Sequence, residues 1–366
     1  MRDISGLSSS LNGFLKWNKA RADCFVSILL GLFAVKTVNL KEIALSIEGG
    51  ATVDSRHRRL QRFFAFFKID FTQMARWIFS LYILSGQDFY IVIDRTNWYW
   101  GKQKINVFML GIAHEGMAVP LYWEMLPKAG SSNFKEQKKL LLKFIETFGT
   151  KGVKGLLADR EFARGKLFRW LNKNNLPFYV RIKEGSLCEI KNKKFHKAKK
   201  LFSHLNPTEQ GIFAMNIILF GANVYLAGAR SERGELMIVA TNRCPKNAIA
   251  AYLRRWEIEC LFQGLKGRGF HFEATHITSL DRMAKMIALL AIAFAWAHKV
   301  GEWKAVIKPI IWKKFRAQKR PQSSYFRYGL DHIRETILHI FHKFEQLTEI
   351  FAFILPNALF PSGGAL

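Results

Sequence analysis

Acidic residues are scarce in this chain: 28 Asp plus Glu stand against 56 Lys plus Arg, a formal charge of +28 over 366 residues. A surplus that large favours a polyanionic partner, with phosphate contacts and steep salt dependence; a merely basic enzyme is the plainer alternative. Cysteine is scarce as well. Cys24, Cys188, Cys244 and Cys260 are scattered without paired spacing, which speaks against a disulfide framework or a zinc motif and fits a reducing cytosol. Nothing reads as a membrane span. Cys24 to Val35 is too short, and Met283 to Ala297 is interrupted by Lys285 and followed by His298 and Lys299, the mark of a buried core helix. Met1 to Lys16 is polar and serine-bearing, a poor secretory signal. No internal repeat or low-complexity linker is present. What is plentiful is apolar surface: 49% of residues are hydrophobic, with 32 Phe and 10 Trp, enough for a sizeable core and two or three structural units.

Up to about Ser85 the pattern is helical, with candidates at Leu7 to Trp17, Arg21 to Val35, Lys41 to Ile47, Ser55 to Phe67 and Phe71 to Leu84. Gly49-Gly50 breaks two of them, and Asp54 or Ser55 can cap the helix that follows. That helix carries Arg56, His57, Arg58, Arg59 and Arg62. A short helix, a glycine turn and a basic helix make a helix-turn-helix-like DNA reader; an ordinary solvated face on a helix packed through Leu60, Phe63, Phe64 and Phe67 accounts for the charges equally well.

At Phe89 the character changes. Phe89 to Ile93 reads as a buried strand ending in Asp94, and Ile105 to Ala113 and Met117 to Met125 read as a hairpin through His114-Glu115-Gly116. An amphipathic helix over Phe134 to Phe148, a strand over Val153 to Ala158 ending in Asp159, a helix over Phe162 to Asn172 and a strand over Phe178 to Ile182 follow. Three meandering strands, then helix, strand, helix and strand, match the order of an RNase H-like α/β core. A β-rich, lysine-rich stretch interrupts it, with six lysines between Lys191 and Lys200. The organisation expected is therefore a helical DNA-binding region (1–86), a core first part (87–184), a β-rich insertion (185–235), a core second part (236–300) and a C-terminal helical region (301–366). Lys313, Lys314, Arg316, Lys319 and Arg320 form a second basic run, either a solvated face or a DNA contact.

Asp94 and Asp159 each end an apolar strand and each precedes an arginine. A carboxylate there is costly without a partner, and ligands gather at strand ends in α/β sheets. Tyr252, Arg255, Glu259 and Lys266 stand at offsets of 0, 3, 7 and 14, within roughly 60° around one continuous α-helix. Glu259 lies within about 20° of Tyr252 on that helix, whereas Glu257 points roughly 140° away and reads as a surface residue; Glu273 falls beyond Gly267 and Gly269. Three converging carboxylates resist ionisation unless cations bind between them, and Mg²⁺ beside phosphates resolves the conflict. Asp94, Asp159 and Glu259 are the candidate ligands.

Asp94 in Ile93-Asp94-Arg95-Thr96-Asn97, Asp159 in Ala158-Asp159-Arg160-Glu161-Phe162, and the complete Tyr-x2-Arg-x3-Glu-x6-Lys array of Tyr252, Arg255, Glu259 and Lys266 resemble the DDE transposases of bacterial insertion sequences. Arg58-Arg59-Leu60-Gln61-Arg62-Phe63-Phe64 extends the resemblance, which covers about residues 55 to 270. It implies metal-dependent cleavage at the terminal inverted repeats of a mobile element, then transfer of the 3′-OH into target DNA. It implies Mg²⁺ (with Mn²⁺ as a substitute) on Asp94, Asp159 and Glu259, terminal phosphates on Tyr252, Arg255 and Lys266, and a homodimeric synaptic complex on double-stranded DNA. A cytoplasmic, nucleoid-associated location without membrane follows. Some relatives stack a tryptophan of the insertion on a flipped base, but here none lies between Trp170 and Trp256, leaving Phe213 or Tyr225 as substitutes. A nuclease of the same fold and a DNA-binding protein with a decayed core are the competing readings.

His271-Phe272-Glu273 lacks a following Pro-Cys-x-x-Cys, so a zinc deaminase does not fit, and Gly264 to Gly269 is no phosphate loop. Trp98, Tyr99 and Trp100 serve either as core or as base-stacking residues.

Overall fold

The computed structural model describes residues 11, 13–84, 86–101, 103–190, 194–315, 318–339, 349–351 and 353–354. The chain divides into two compact units, one of Met1–Leu84, Trp98–Ile105 and Leu261–Leu366, the other of Ser85–Asn97 and Asn106–Cys260. Residues 1–10, Lys191, Lys193 and Arg316 of the sequence expectations lie outside the described residues, as do 340–348 and 355–366.

The first unit is mainly helical. It holds α1 (Lys19–Val35), α2 (Leu40–Ser46), α3 (Val53–Phe66), α4 (Phe71–Tyr82), α9 (Leu280–Ile307) and α10 (Tyr325–Leu338). The N-terminal helices and the C-terminal ones, assigned to separate regions from sequence, thus share one unit. Helix α3 begins two residues earlier than expected: Thr52 is its cap, accepting from the Ser55 N–H, and Asp54 falls in the first turn. Its inner face is Leu60, Phe63 and Phe64, whereas Phe67 is half-buried and Phe66 exposed.

Helix α9 is long and apolar enough to cross a membrane, but 89% of its apolar window is buried inside the protein. It is a core helix. The Lys285 ammonium, the one charge in its apolar centre, bonds the Asp281 carboxylate at 2.7 Å and the Phe64 carbonyl at 3.2 Å. Helix α10 packs on α9 at a glycine crossing. A Cβ on Gly301 would strike the Tyr325 carbonyl, and one on Gly329 the Ala297 carbonyl. Glycine permits a backbone approach that a side chain forbids. Gly329→Val should therefore lose at least about 1–3 kcal/mol by overpacking, read as a thermal midpoint several degrees lower; an unchanged midpoint would refute the close crossing.

The C-terminal region is not purely helical. Pro309 follows the α9 end at Lys308, and a ribbon of β11 (Trp312–Phe315) and β12 (Gln318–Pro321) intervenes before α10. Proline cannot continue a helix, and the Ile310-Ile311-Trp312 sequence that follows favours extended backbone.

A ten-stranded sheet dominates the second unit, in the order β3-β2-β1-β4-β5-β10-β9-β8-β6-β7. Its strands are β1 (Phe89–Trp100), β2 (Gln103–His114), β3 (Met117–Met125), β4 (Val153–Ala158), β5 (Phe178–Ile182), β6 (Leu187–Ile190), β7 (Lys194–Lys197), β8 (Gln210–Leu219), β9 (Ala222–Arg230) and β10 (Leu236–Thr241), of which residues 98–105 group with the helical unit. Pairing is parallel for β1 with β4 and β4 with β5. Ile91, Val92, Ile93, Leu156 and Leu157 have no exposure, as strands covered on both faces require. The crossover helices are α5 (Phe134–Phe148), opened by an Asn133/Glu136 capping box, and α6 (Gly165–Lys173). The β-rich stretch forms no separate layer. Strand β10 pairs antiparallel with β5 and with β9, extending the sheet from an edge whose backbone groups need partners.

Candidate active site

Parallel register brings the two aspartates level. Val92 of β1 is partnered with Leu157 of β4, and Asp94 and Asp159 each stand two residues further on. Asp159 directly follows β4, but Asp94, expected to end its strand, lies in the middle of β1, which runs on to Trp100; it stands just past the last residue paired with β4. Asp159 opens the short turn Arg160–Phe162 without its side chain capping it, which leaves the carboxylate for other partners.

The third acidic residue comes from a jointed helix, not from the continuous one expected. Helix α7 (Ala248–Leu253) and helix α8 (Trp256–Leu265) meet at Arg254 and Arg255. There the backbone makes three-residue bonds, Arg255 N–H to the Tyr252 carbonyl at 2.8 Å and Ile258 N–H to the Arg255 carbonyl at 3.1 Å, a tighter winding than the α-helix.

This joint directs Tyr252, Arg255 and Glu259 to the aspartates. The Arg255 guanidinium donates to Asp94 Oδ2 at 3.0 Å and to Glu259 Oε1 at 2.5 Å. The Tyr252 hydroxyl donates to Asp159 Oδ1 at 3.2 Å, and the guanidinium lies 5.8 Å from the Tyr252 ring centre. Hydrogen bonds thus join Asp94, Arg255 and Glu259 in one set and Tyr252 with Asp159 in another, and the Arg255 guanidinium beside the Tyr252 ring links the two.

Electrostatics in the cluster follow burial. The Asp94 carboxyl is pushed up to about 7, chiefly because its side chain is only 16% exposed; the Arg95 N–H and Arg255 oppose the shift, and Glu161 and Asp159 add to it. Burial works against the Arg255 charge, but Tyr252, Glu259 and Asp94 outweigh it and hold its pKa above the usual arginine value. Burial also pushes the Tyr252 hydroxyl up to about 12, so it remains a donor at neutral pH.

Sequence reasoning missed the supports. Arg95 makes a bidentate bond to Glu161, both contacts 2.7 Å, and reaches Asn106 Oδ1 at 3.1 Å and the Gly130 carbonyl at 2.7 Å. It ties the residue after Asp94 to the turn after Asp159; the signal was the arginine that follows each aspartate. Glu257, read as a surface residue, is 8% exposed. Arg254 holds it at 2.9 Å and also donates to the Ala113 carbonyl at 2.9 Å.

Lys266 departs from the expected stripe. It follows the end of α8, pairs with Glu273 at 3.0 Å and lies 5.0 Å from the Trp98 ring centre in the helical unit. Trp98 is itself buried against Phe272, whereas Tyr99 is 64% exposed. Arg58, Arg59 and Arg62 are exposed on α3, and Arg56 is half-buried.

A groove of about 1100 Å³ begins next to Asp159, at Arg160 and Glu161, and is lined further by Arg164, Lys183, Glu189, Phe195, Ile218 and Phe220. Phe195 and Phe220 are 63% and 39% exposed. Phe213 and Tyr225, the expected aromatic candidates, are half-buried.

The chemistry of the donors suits a hard divalent ion: Asp94, Asp159 and Glu259 offer three carboxylates, all oxygen. Asp94, Asp159 and Glu259 would hold it. The Arg255 cation, already between Asp94 and Glu259, marks the demand for positive charge there.

Residues 88–296, more than half of the chain, match the model of the transposase DDE domain. No curated protein matches the chain. Among solved structures, a piggyBac transposase synaptic complex with hairpin DNA is similar over 95% of this chain and 78% of that one, at 11% identity and a TM-score of 0.48. The NurA nuclease from Sulfolobus solfataricus is similar over 56% of this chain and 85% of its own, at 12% identity and a TM-score of 0.25. Both likenesses are too slight to bear on the reading, which rests on the match over residues 88–296: the chain belongs to the transposase DDE domain family.

Proposed function

We propose that the protein is a DNA transposase of the bacterial insertion-sequence type, of the subgroup with the Tyr-Arg-Glu-Lys signature. It cleaves the terminal inverted repeats of its element by Mg²⁺-dependent hydrolysis and transfers the 3′-OH ends into target DNA. The observation that carries the reading is the linked cluster of Asp94, Asp159 and Glu259 around Arg255 and Tyr252. The β3-β2-β1-β4-β5 order with β1, β4 and β5 parallel supports an RNase H-like core. In that reading β6 to β9 are an insertion before the third carboxylate.

A divalent ion bound by the three carboxylates would activate the attacking oxygen and stabilise the leaving one. The chain's own donors complete the site. Tyr252 and Arg255 are at hand for a phosphate once the carboxylates are otherwise neutralised, and Arg160, Arg164 and Lys183 line a path for the strand passing Asp159. Arg56, Arg58, Arg59 and Arg62 on α3 suit backbone contacts to the repeat. Two copies of the chain, each on one element end, form the synaptic complex, which works on chromosomal DNA in the cytoplasm, at the nucleoid.

The test uses purified full-length protein and a short duplex carrying the flanking inverted repeat. With Mg²⁺ or Mn²⁺, nicking at the repeat boundary and joining of the free 3′-OH to a plasmid are expected, and EDTA abolishes both. Nicking without a joined product would favour a nuclease of the same fold; binding without cleavage in any metal would favour a decayed DNA-binding protein.

A further inference from the structure

Between α9 and α10, β11 and β12 pair with each other and with no other strand among the described residues. From Trp303 to Leu330 the sequence holds no Asp or Glu. Register sets Lys313 opposite Arg320 and Lys314 opposite Lys319. Successive residues of a strand point to opposite faces, so each face of the ribbon carries one cation pair. Like charges directly opposed destabilise a strand pair, and a two-stranded ribbon is marginal in water even without that burden. All four cationic residues are exposed. Beside them Ile311 and Trp312 are 65% and 64% exposed, and Trp312 sits opposite Pro321 on the Lys314–Lys319 face.

A ribbon so charged suits a partner that offers negative charge on both sides at once. A duplex groove does so, since phosphates line both of its walls, and the major groove admits a two-stranded ribbon. An acidic protein surface would neutralise one face and leave the other repelling itself. We propose that the β11–β12 ribbon is a DNA arm that enters a groove of double-stranded DNA, its Lys313–Arg320 and Lys314–Lys319 pairs facing phosphates of the two walls. The proposal rests on the reading that DNA is the substrate, and it concerns a surface remote in sequence from the three carboxylates.

The test is duplex affinity of the full chain across salt, read by fluorescence anisotropy on a labelled duplex of about 30 base pairs from roughly 50 to 300 mM KCl. Wild type is compared with K313Q/K314Q/K319Q/R320Q and with a control of equal charge change, K135Q/K138Q/K151Q/K173Q, whose lysines are exposed on the other unit. Every phosphate that a variant no longer neutralises lowers the slope of log affinity against log salt by about 0.9. The ribbon variant should lose about 2–4 from the slope and at least about tenfold in affinity at low salt, and the control far less. A slope unchanged in the ribbon variant, or an equal loss in the control, would overturn the arm. Lysine acetylation on wild type needs no variant: duplex should shield Lys313, Lys314 and Lys319, and equal labelling with and without duplex also overturns it. Wild type that binds no duplex at any salt is a different result, which removes the DNA substrate itself and the arm with it.

Discussion

Glu259→Gln should reduce cleavage at a DNA end by on the order of 10³-fold or more, while duplex affinity stays within a few-fold of wild type. The glutamine keeps the shape of Glu259 and a carbonyl for the Arg255 guanidinium, which now donates to Glu259 Oε1. It removes the charge that an activating divalent ion requires, a term worth several kcal/mol in phosphoryl transfer. Asp94→Asn and Asp159→Asn should behave alike. Because the three act as a unit, any double variant should be scarcely worse than a single one. Glu257→Gln is the informative control: that side chain is buried and acidic, two residues away, yet held by Arg254 outside the cluster. Quantified nicking of an end-labelled duplex settles the matter. Should Glu257→Gln abolish nicking and Glu259→Gln leave it intact, the assignment of the third carboxylate is wrong.

Why Asp94 and Asp159 are legible in the sequence is physical. An apolar run that gives way to a carboxylate announces a buried strand segment in which the charge needs a reason, and parallel pairing then sets the two positions level. That β1 runs on past Asp94 to Trp100 is not legible, because the residues next after it, Arg95 to Asn97, are polar. Glu259 is legible because an i, i+4 spacing from Arg255 survives the joint between α7 and α8. The joint itself is not. A few hydrogen bonds drawn from three residues back instead of four leave no mark on residue periodicity. Glu257 is misread for the same reason and for another: the Arg254 that neutralises it is fixed by the Ala113 carbonyl, 141 residues away in the chain. Lys266 is misread because the stripe is extended past the end of α8, where Glu273 captures its ammonium. The join of β10 to β5 depends on a long-range pairing that no local pattern encodes, and the β11–β12 ribbon is hidden under a charge run that reads as mere solvation.

Substitutions on the two sides of the Asp94–Arg255 pair should move stability in opposite directions when the protein is unfolded in EDTA. Arg255→Leu leaves Asp94 and Glu259 partly buried, with side chains 16% and 31% exposed, and without their counter-charge. Breaking a buried pair in this way costs about 3–5 kcal/mol, discounted here for the partial exposure of Glu259. Asp94→Asn does the reverse. The carboxyl has its pKa raised to about 7 in the fold from an ordinary 3.8, so the folded state binds its proton more tightly than the unfolded chain does. Its contribution to stability therefore declines as pH rises from about 4 to about 7, and the loss is complete above that. At roughly 1.4 kcal/mol per pH unit the decline is at most about 4 kcal/mol. Asparagine never ionises, and its side-chain oxygen can still accept from Arg255. Thermal midpoints in EDTA should therefore nearly coincide for Asp94→Asn and wild type at pH 4, with the variant several degrees higher at pH 8. Arg255→Leu should lie below wild type at pH 8, where Asp94 lacks its counter-charge, and recover part of the gap at pH 5. A variant Asp94→Asn that unfolds below wild type at pH 8 would mean that the Arg255 ion pair outweighs the burial of Asp94, and that the cluster is held together before any metal binds.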